Sequence, residues 1–311
     1  MTQVQTESYQ VEPPPWRADA PACAVLLLSY NAAPYLPRCL ASLRAQTYRD
    51  FEVILVDNAS QDDTLAVARA NAEGLPRLRL VALQENLGFA GGNNVGLQHV
   101  APETPFVVLL NTDAFPEPEW LARLVAAAQQ DAQVALAVGK ILSADPPHCI
   151  DTCGDTRNRF GVPRSRGRGQ PAEAFAQSED VFGGCGASLL VRKAVLPEIG
   201  GLFDESLYLY GEDVDLAYRV HARGYRCRYV ADAVVYHLGS AASRGRDAWR
   251  HGLSRRNMWV VFMRYHRGRP LPQLLFLLYW LGGDLKLLLT GRAAVVWNEY
   301  RMLLFGRGIR S

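Results

Sequence analysis

Nowhere in this 311-residue chain is there an uninterrupted apolar run of the roughly 18 residues that a membrane-spanning helix needs. The best stretch, Leu274 to Gly283, ends at Asp284, and Lys286 follows. A secretory leader is missing too. Met1 to Asp19 is polar, acidic and punctuated by Pro13-Pro14-Pro15, so residues 1–21 read as a flexible tail. The six cysteines (Cys23, Cys39, Cys149, Cys153, Cys185, Cys227) are too scattered for the disulfide framework of a small secreted domain, which points to free thiols in a reducing cytosol. Cys149 and Cys153 beside His148 suggest half a zinc site, but no second ligand pair stands at metal-site spacing. The glycine-rich stretch Asn86 to Gly96 contains neither Gly-x-Gly-x-x-Gly nor a P-loop lysine, which weighs against NAD and ATP. There is no internal repeat.

What is present is unevenly charged. The formal net charge is only +2, yet from Ala241 onward there are 13 Lys and Arg against 3 Asp and Glu. Such a basic tail either meets phosphate or an anionic membrane, or is a solvated helical face. The stretch after Leu274 has two readings of its own: an interfacial helix with Arg264, Arg267 and Arg269 near lipid phosphates, or a helix buried against the preceding domain.

Strands and helices alternate through the first half. Apolar runs at Ala24 to Leu28, Phe51 to Val56, Leu78 to Leu83 and Phe106 to Leu110 predict strands. The spacing predicts helices over Leu36 to Leu43, Thr64 to Glu73, Ala90 to Val100 and Pro118 to Gln130. That rhythm predicts an α/β fold, a mostly parallel sheet with helices on both faces. From Ser143 to Asp180 the pattern dissolves into Pro, Gly, Arg and Ser, a loop long enough to be functional or disordered. Regularity returns with strands at Ala187 to Val191, Arg226 to Val230 and Val234 to Tyr236, and a helix over Asp213 to Arg223.

The chemistry gathers where these elements end. The strand Phe106 to Leu110 stops at Asn111-Thr112-Asp113, and a strand that delivers a carboxylate at its C-terminal edge is where an open α/β sheet places its ligand. Asp113 there can hold a divalent cation against a diphosphate. A hundred residues on, Gly211-Glu212-Asp213 opens a helix, and Asp213 can take a proton from an attacking hydroxyl. Asp57 ends the second strand. It either accepts from a nucleobase imide or ribose hydroxyls, or caps the following helix with Ser60 and Asp62. Asn86 and Asn94 offer amides around a backbone that small residues keep open, or flank a plain helix-entry turn. His237 follows the last strand and by itself reads as a core histidine.

In this order the residues resemble a known family. Ser29-Tyr30-Asn31, Val56 to Thr64, Asn86-Leu87-Gly88-Phe89-Ala90, Asn111-Thr112-Asp113, Gly211 to Leu216 and His237 are similar to the motifs of a family 2 glycosyltransferase with the GT-A fold, in its rhamnosyltransferase-like branch. The resemblance covers about Cys23 to Ser243 and implies a glycosyltransferase domain at 22–243, followed by a basic helical extension at 244–311. It implies an inverting transfer, most plausibly of L-rhamnose from dTDP-L-rhamnose, to a hydroxyl of a glycan or lipid-linked acceptor in polysaccharide synthesis. By that resemblance Ser29, Asn31, Asp57, Asn86, Gly88, Asn94, Asn111 and Thr112 bind the nucleotide donor. Asp113 and His237 hold Mg2+ or Mn2+, Asp213 is the catalytic base, and Glu212 stands on the acceptor side. Asn111 replaces the first aspartate of the family's Asp-x-Asp, which removes a negative charge beside the metal. No nucleic-acid partner is expected, and the location implied is the cytoplasm, with peripheral contact at the inner face of the membrane. Two other classes stay open: a nucleotidyltransferase, although Ser29-Tyr30-Asn31-Ala32 stands where its phosphate loop would be, and a non-catalytic nucleotide- or carbohydrate-binding module.

Overall fold

The computed structural model describes residues 20–158, 162–239 and 247–305, so most of the expected N-terminal tail and the expected domain boundary at 243 lie outside the described residues. The first half follows the predicted alternation: β1 (Cys23–Ser29), α1 (Leu36–Arg44), β2 (Phe51–Asp57), α2 (Thr64–Ala70), β3 (Leu78–Ala82), α3 (Gly88–Gln98) and β4 (Phe106–Asn111). Then come β5 (Ala114–Pro116), α4 (Trp120–Gln130) and β6 (Val134–Ser143), followed by the short strands β7 (Ile150–Thr152), β8 (Asp155–Arg157), β9 (Pro163–Ser165) and β10 (Glu179–Val181). The chain continues through β11 (Ser188–Arg192), α5 (Leu196–Ile199), α6 (Glu212–Ala222) and β12 (Arg226–His237), and ends in α7 (Asp247–Tyr265), α8 (Pro270–Leu289) and α9 (Ala293–Phe305).

The main sheet runs β10-β12-β6-β11-β4-β1-β2-β3. Its β4-β1-β2-β3 half is parallel, and so is the β6-β12 pair, whereas β11 lies antiparallel between the two. Parallel strands covered on both faces need apolar residues at every position rather than at alternate ones. β1 shows this directly. Cys23, Val25 and Leu27 face the layer of α1 and α4, while Ala24 and Leu26 face that of α3, α5 and α6. All seven residues of β2 are buried, Asp57 included.

Three differences from the sequence reading bear on the site. β6 is the longest buried run between α4 and the loop region, and no strand was expected there, although Val134 to Val138 is a continuous apolar run and Asp131 makes the turn before it, accepting from the Gln133 and Val134 N–H groups. β12 is one strand, not two: a register shift between Val230 and Val234 absorbs the Ala231-Asp232-Ala233 interruption. The region Ser143 to Asp180 holds four three-residue strands, with β7 added to β6 and β8 paired with β9. Such short pairs are fixed by tertiary contacts, and alternation over three residues is no signal.

Candidate active site

The C-terminal ends of the parallel strands meet one cavity of about 730 Å³. Register dictates what stands there: Ser29 of β1 is level with Asp57 of β2, and Leu28 is level with Asn111 of β4. After β4 the chain turns through Thr112 and Asp113 into β5, which pairs with the end of β12 so that Ala114 lies opposite His237. The Leu238 N–H donates to the Asp113 carbonyl at 3.0 Å. Sequence distance is thus closed by sheet pairing, and the Asp113 carboxylate lies 3.3 Å from Nε2 of His237. Asn111 Nδ2 is 3.4 Å from the same ring nitrogen.

The other ring nitrogen, Nδ1, faces Asp151 of β7 at 3.2 Å. Burial pushes the His237 imidazole down, but hydrogen bonds and charge from Asp113 and Asp151 outweigh it and raise the group to about 9. An imidazole held by a carboxylate on one side and turned to a second carboxylate on the other has the arrangement of an oriented metal ligand. Among the described residues no group of three or more His, Cys, Asp or Glu is placed to hold a metal. Asp113 and His237 fit a divalent cation as two of its ligands, and phosphate oxygens and water would have to fill the remaining positions. His148, by contrast, is bound to the Ser143 carbonyl at 3.0 Å and packs edge-on against Tyr236, with no zinc site around it.

Across the cavity, Gly211 adopts φ 92° and starts α6. Asp213 Oδ2 accepts from the Gly186 N–H at 3.2 Å, and Oδ1 from the Val214 N–H at 2.8 Å. Burial raises its pKa, in spite of those donors. Glu212 is 4% exposed, its Oε2 has no hydrogen-bond partner, and burial together with the Asp213 charge holds it well above the usual carboxylate range. Both neighbouring carboxylates are thus pushed up by burial, Glu212 further than Asp213 because it also feels the Asp213 charge.

The preceding segment is backbone under tension: Tyr208 and Tyr210 have φ 60° and 68°. It is held by Asn257 of α7, fully buried, whose Nδ2 donates to the carbonyls of Leu207, Leu209 and Tyr210 at 2.6, 3.0 and 2.6 Å. Asp215 is not at the cavity. It is buried against Arg219 and Arg264 at 2.8 and 2.7 Å and accepts from Tyr265 at 2.9 Å, locking α6 to α7.

A carboxylate–histidine pair at the sheet edge, an ionisable acid at a helix start opposite it and a polar crevice between suit transfer from a diphosphate donor. The family model for glycosyl transferase family 2 matches residues 24–200. The chain belongs to glycosyl transferase family 2. It is 30% identical over 261 residues to the N-acetylglucosaminyl-diphospho-decaprenol L-rhamnosyltransferase of Mycobacterium tuberculosis, covering 77% of this chain and 83% of that one. With the succinoglycan biosynthesis protein ExoU of Rhizobium meliloti it shares 31% identity over 240 residues, 72% of this chain and 63% of the relative. Among solved structures it resembles the mannosyltransferase PcManGT from Pyrobaculum calidifontis in complex with GDP-Man and Mn2+, with TM-score 0.56 and 21% identity over 97% of this chain and 92% of that one. TarS of S. aureus superposes with TM-score 0.55 and 20% identity over 78% of this chain, which spans only 39% of TarS. The fold is GT-A.

The nucleotidyltransferase and pure binding-module alternatives fall away for this family 2 glycosyltransferase. Of the expected site residues, Ser29, Asn86, Gly88, Asn111, Thr112, Asp113, Glu212, Asp213 and His237 line the cavity. Gly88 has φ 72°, and a Cβ there would come within 2.4 Å of the Tyr208 ring, so only glycine fits. Asn86 Oδ1 accepts from Asn58 Nδ2, the Gly88 N–H and the Tyr208 hydroxyl, at 3.0, 2.9 and 3.2 Å.

Asn31, Asp57 and Asn94 do not line the cavity. Asn31 Oδ1 takes the Gln61 N–H at 2.8 Å, bracing the loops after β1 and β2. Asp57 takes Ser29 Oγ at 3.4 Å and the Ser60 N–H at 3.3 Å. Asn94 needs correction. Its amide donates to the Phe203 carbonyl and Glu205 at 3.0 Å each and accepts from the Phe203 N–H, so it ties α3 to the Phe203 loop and offers nothing to a ligand. Arg264, which the sequence placed near lipid, is spent on Asp204 and Asp215.

Residues that the sequence reading missed also line the cavity: Asn58, Asp151, Asp155, Arg164, Arg168 and Tyr208, and Trp249, Arg250, Ser254 and Met258 from α7. Asp155 is 8% exposed, and burial plus the Asp213 charge raise it to about 7 in spite of Arg168. Only the Asn58 position, inside the Val56 to Thr64 motif, carried any signal.

Proposed function

We propose an inverting glycosyl transfer in which Asp213 accepts the proton of an acceptor hydroxyl as its oxygen attacks the anomeric carbon of a nucleotide sugar. The new C–O bond forms as the bond to the diphosphate breaks, and the diphosphate departs with the electron pair. A single displacement needs one base and no enzyme nucleophile, so configuration inverts. The observation that carries this reading is that two kinds of acid line one cavity, Asp113 paired with His237 and, from a separate element, Asp213. A divalent cation bound there, Mg2+ or Mn2+, would supply Lewis-acid stabilisation of the leaving diphosphate. Asp113 and His237 would hold it, Asp151 would orient His237, and Ser29, which lines the cavity and is hydrogen-bonded to Asp57 behind it, would meet the base. Glu212, uncharged, would present a proton toward the acceptor side.

The donor most in keeping with this chain is dTDP-L-rhamnose and the acceptor a lipid-linked glycan diphosphate, supported by the name of the mycobacterial relative. Arg164, Arg168 and Arg250 around the cavity suit a second diphosphate. The enzyme would then work at the inner face of the membrane. Hydrolysis of a panel of nucleotide sugars by the purified chain tests this: release of dTDP from dTDP-L-rhamnose with Mg2+ or Mn2+ is expected. Turnover of UDP- or GDP-sugars alone would overturn the rhamnose reading, and no turnover of any of them would overturn the transferase mechanism.

A further inference from the structure

Along the outside of α8 runs a stripe of leucines at spacings of three and four: Leu271, Leu274, Leu278, Leu281, Leu285 and Leu288, each 48 to 63% exposed. The helix cannot roll this stripe inward. Its opposite face is fixed, with Phe276 stacked on Phe262 of α7 at 3.9 Å between ring centres, Trp280 4% exposed, and Asp284 bound by Arg255 and, at 2.9 Å, by the Tyr300 hydroxyl. α9 adds exposed Trp297, Leu304 and Phe305. The apolar face is therefore a rigid feature of the fold, about 30 Å long for a helix of this length, and soluble proteins rarely leave so continuous a patch bare.

Charge decides between occupants. From residue 267 to 305 the only acids are Asp284 and Glu299, 7% and 0% exposed, and Arg255 binds both. The exposed charges of this stretch are Arg267, Arg269, Lys286 and Arg292, all positive. A second copy docking face to face would bring cations onto cations. A bilayer with anionic headgroups accepts the leucines among its acyl chains and the cations at its surface, the pattern of an interfacial helix. No helix among the described residues is long and apolar enough to cross the membrane.

We propose that α8 docks flat on an anionic lipid bilayer through this leucine stripe, which deepens the reading of a lipid-linked acceptor and rests on it for its purpose. The position fits that purpose. Tyr279 of α8 holds the guanidinium of Arg164 by its hydroxyl, and Arg164 lines the cavity, so the docked face stands one side chain from the site.

Co-sedimentation of the full chain with vesicles of phosphatidylcholine, with and without phosphatidylglycerol, tests the proposal without donor or acceptor. Binding to the anionic vesicles is expected, weakened by salt. Leu274→Ser/Leu278→Ser/Leu281→Ser should lower partitioning at least tenfold. Arg267→Gln/Arg269→Gln should lower it by about tenfold at low salt only. Both variants should keep the melting temperature and donor hydrolysis of the parent, since none of these side chains touches the cavity. Absence of binding to anionic vesicles, undiminished binding by the leucine variant, or a lipid-free dimer that the leucine variant abolishes would each overturn the proposal. Loss of donor turnover in the parent would instead strike the transferase mechanism and leave the vesicle result standing.

Discussion

In the proposed mechanism the chemistry turns on Asp213, and its surroundings give it two signatures. Asp213→Asn can keep only one of the bonds from Gly186 and Val214, since an amide has a single accepting oxygen, and it removes the proton acceptor, so turnover should fall by roughly 10²–10⁴-fold with donor binding retained. Burial raises its pKa, so the acidic limb of kcat should lie above the ordinary carboxylate range; a limb at the usual value, or near-normal turnover of the variant, would remove Asp213 from the mechanism. Asp155 makes the matching prediction for stability. Its pKa rises from 3.8 in the unfolded reference to about 7 in the fold, through burial and the Asp213 charge. The folded protein therefore holds a proton that the unfolded chain has released. The favourable contribution is complete below about pH 3.8 and is lost as pH rises through about 7. Asp155→Asn should accordingly melt higher than the parent at pH 8, by up to a few kcal/mol, with the advantage gone near pH 4. Equal melting curves at both pH values would show that Asp155 titrates normally. Asp113 and Asp213 were legible because an acid at a strand end or helix start is a local signal, whereas His237, by itself a core histidine, was singled out only by the family resemblance. Asp151, Asp155 and Arg164 were not, because three-residue strands bring them to the cavity and nothing in their neighbours foretells the pairing.

At the scale of elements, the parallel half of the sheet could be read from its continuous apolar runs, and α1 to α4 from their spacing. The C-terminal helices were legible as helices but not in their role, since composition separates a basic extension from the catalytic domain while side chains join them. α7 reaches into the catalytic domain with Asn257 and is clamped to α6 through Arg264, Tyr265 and Asp215. Removing the Asn257 amide takes a donor from three carbonyls beside two left-handed tyrosines, of which Leu207 keeps the Leu209 N–H at 2.7 Å. Asn257→Ala should cost about 1–3 kcal/mol of stability and let the start of α6 shift, lowering kcat roughly tenfold or more. The donor KM should move less, because β1 to β4 are untouched. Asn257→Asp should not rescue, since a carboxylate only adds repulsion. Unchanged kcat with lowered stability would make Asn257 a packing residue and nothing more. α8 resolves the two readings of its sequence by doing half of each: Phe276 and Trp280 pack against α7, and the leucines face out. Truncation before Leu271 would uncover Phe262, so point changes on the outer face are the cleaner probe.

Seen as a whole molecule, the cavity is a seam. The β1 to β4 half supplies Ser29, Asn111 and Asp113, and the half containing β6, α6 and β12 supplies His237, Asp151 and Asp213. A cation between Asp113 and His237 would stitch the halves together, and so would a diphosphate completing its coordination. With only two protein ligands and neutral Asn111 where a second carboxylate would help, free metal should bind weakly and nucleotide without metal weakly too. Together they should bind cooperatively, because each supplies ligands the other lacks. Ligand that binds only the folded state at a hundredfold over its Kd stabilises by about 2.7 kcal/mol, which for a domain of 150–250 residues raises the melting temperature by roughly 5–11 °C. Thermal unfolding with Mn2+, with dTDP, and with both should therefore give two small shifts and one larger than their sum. Asp113→Asn and His237→Gln should each abolish the excess while leaving the dTDP shift. GDP should give a smaller excess than dTDP if the wall around Ser29 reads the base as a thymine or uracil. Additive shifts would mean that metal and nucleotide bind apart, and the Asp113–His237 pair would then be a structural clasp between the two halves rather than the place where the diphosphate is held.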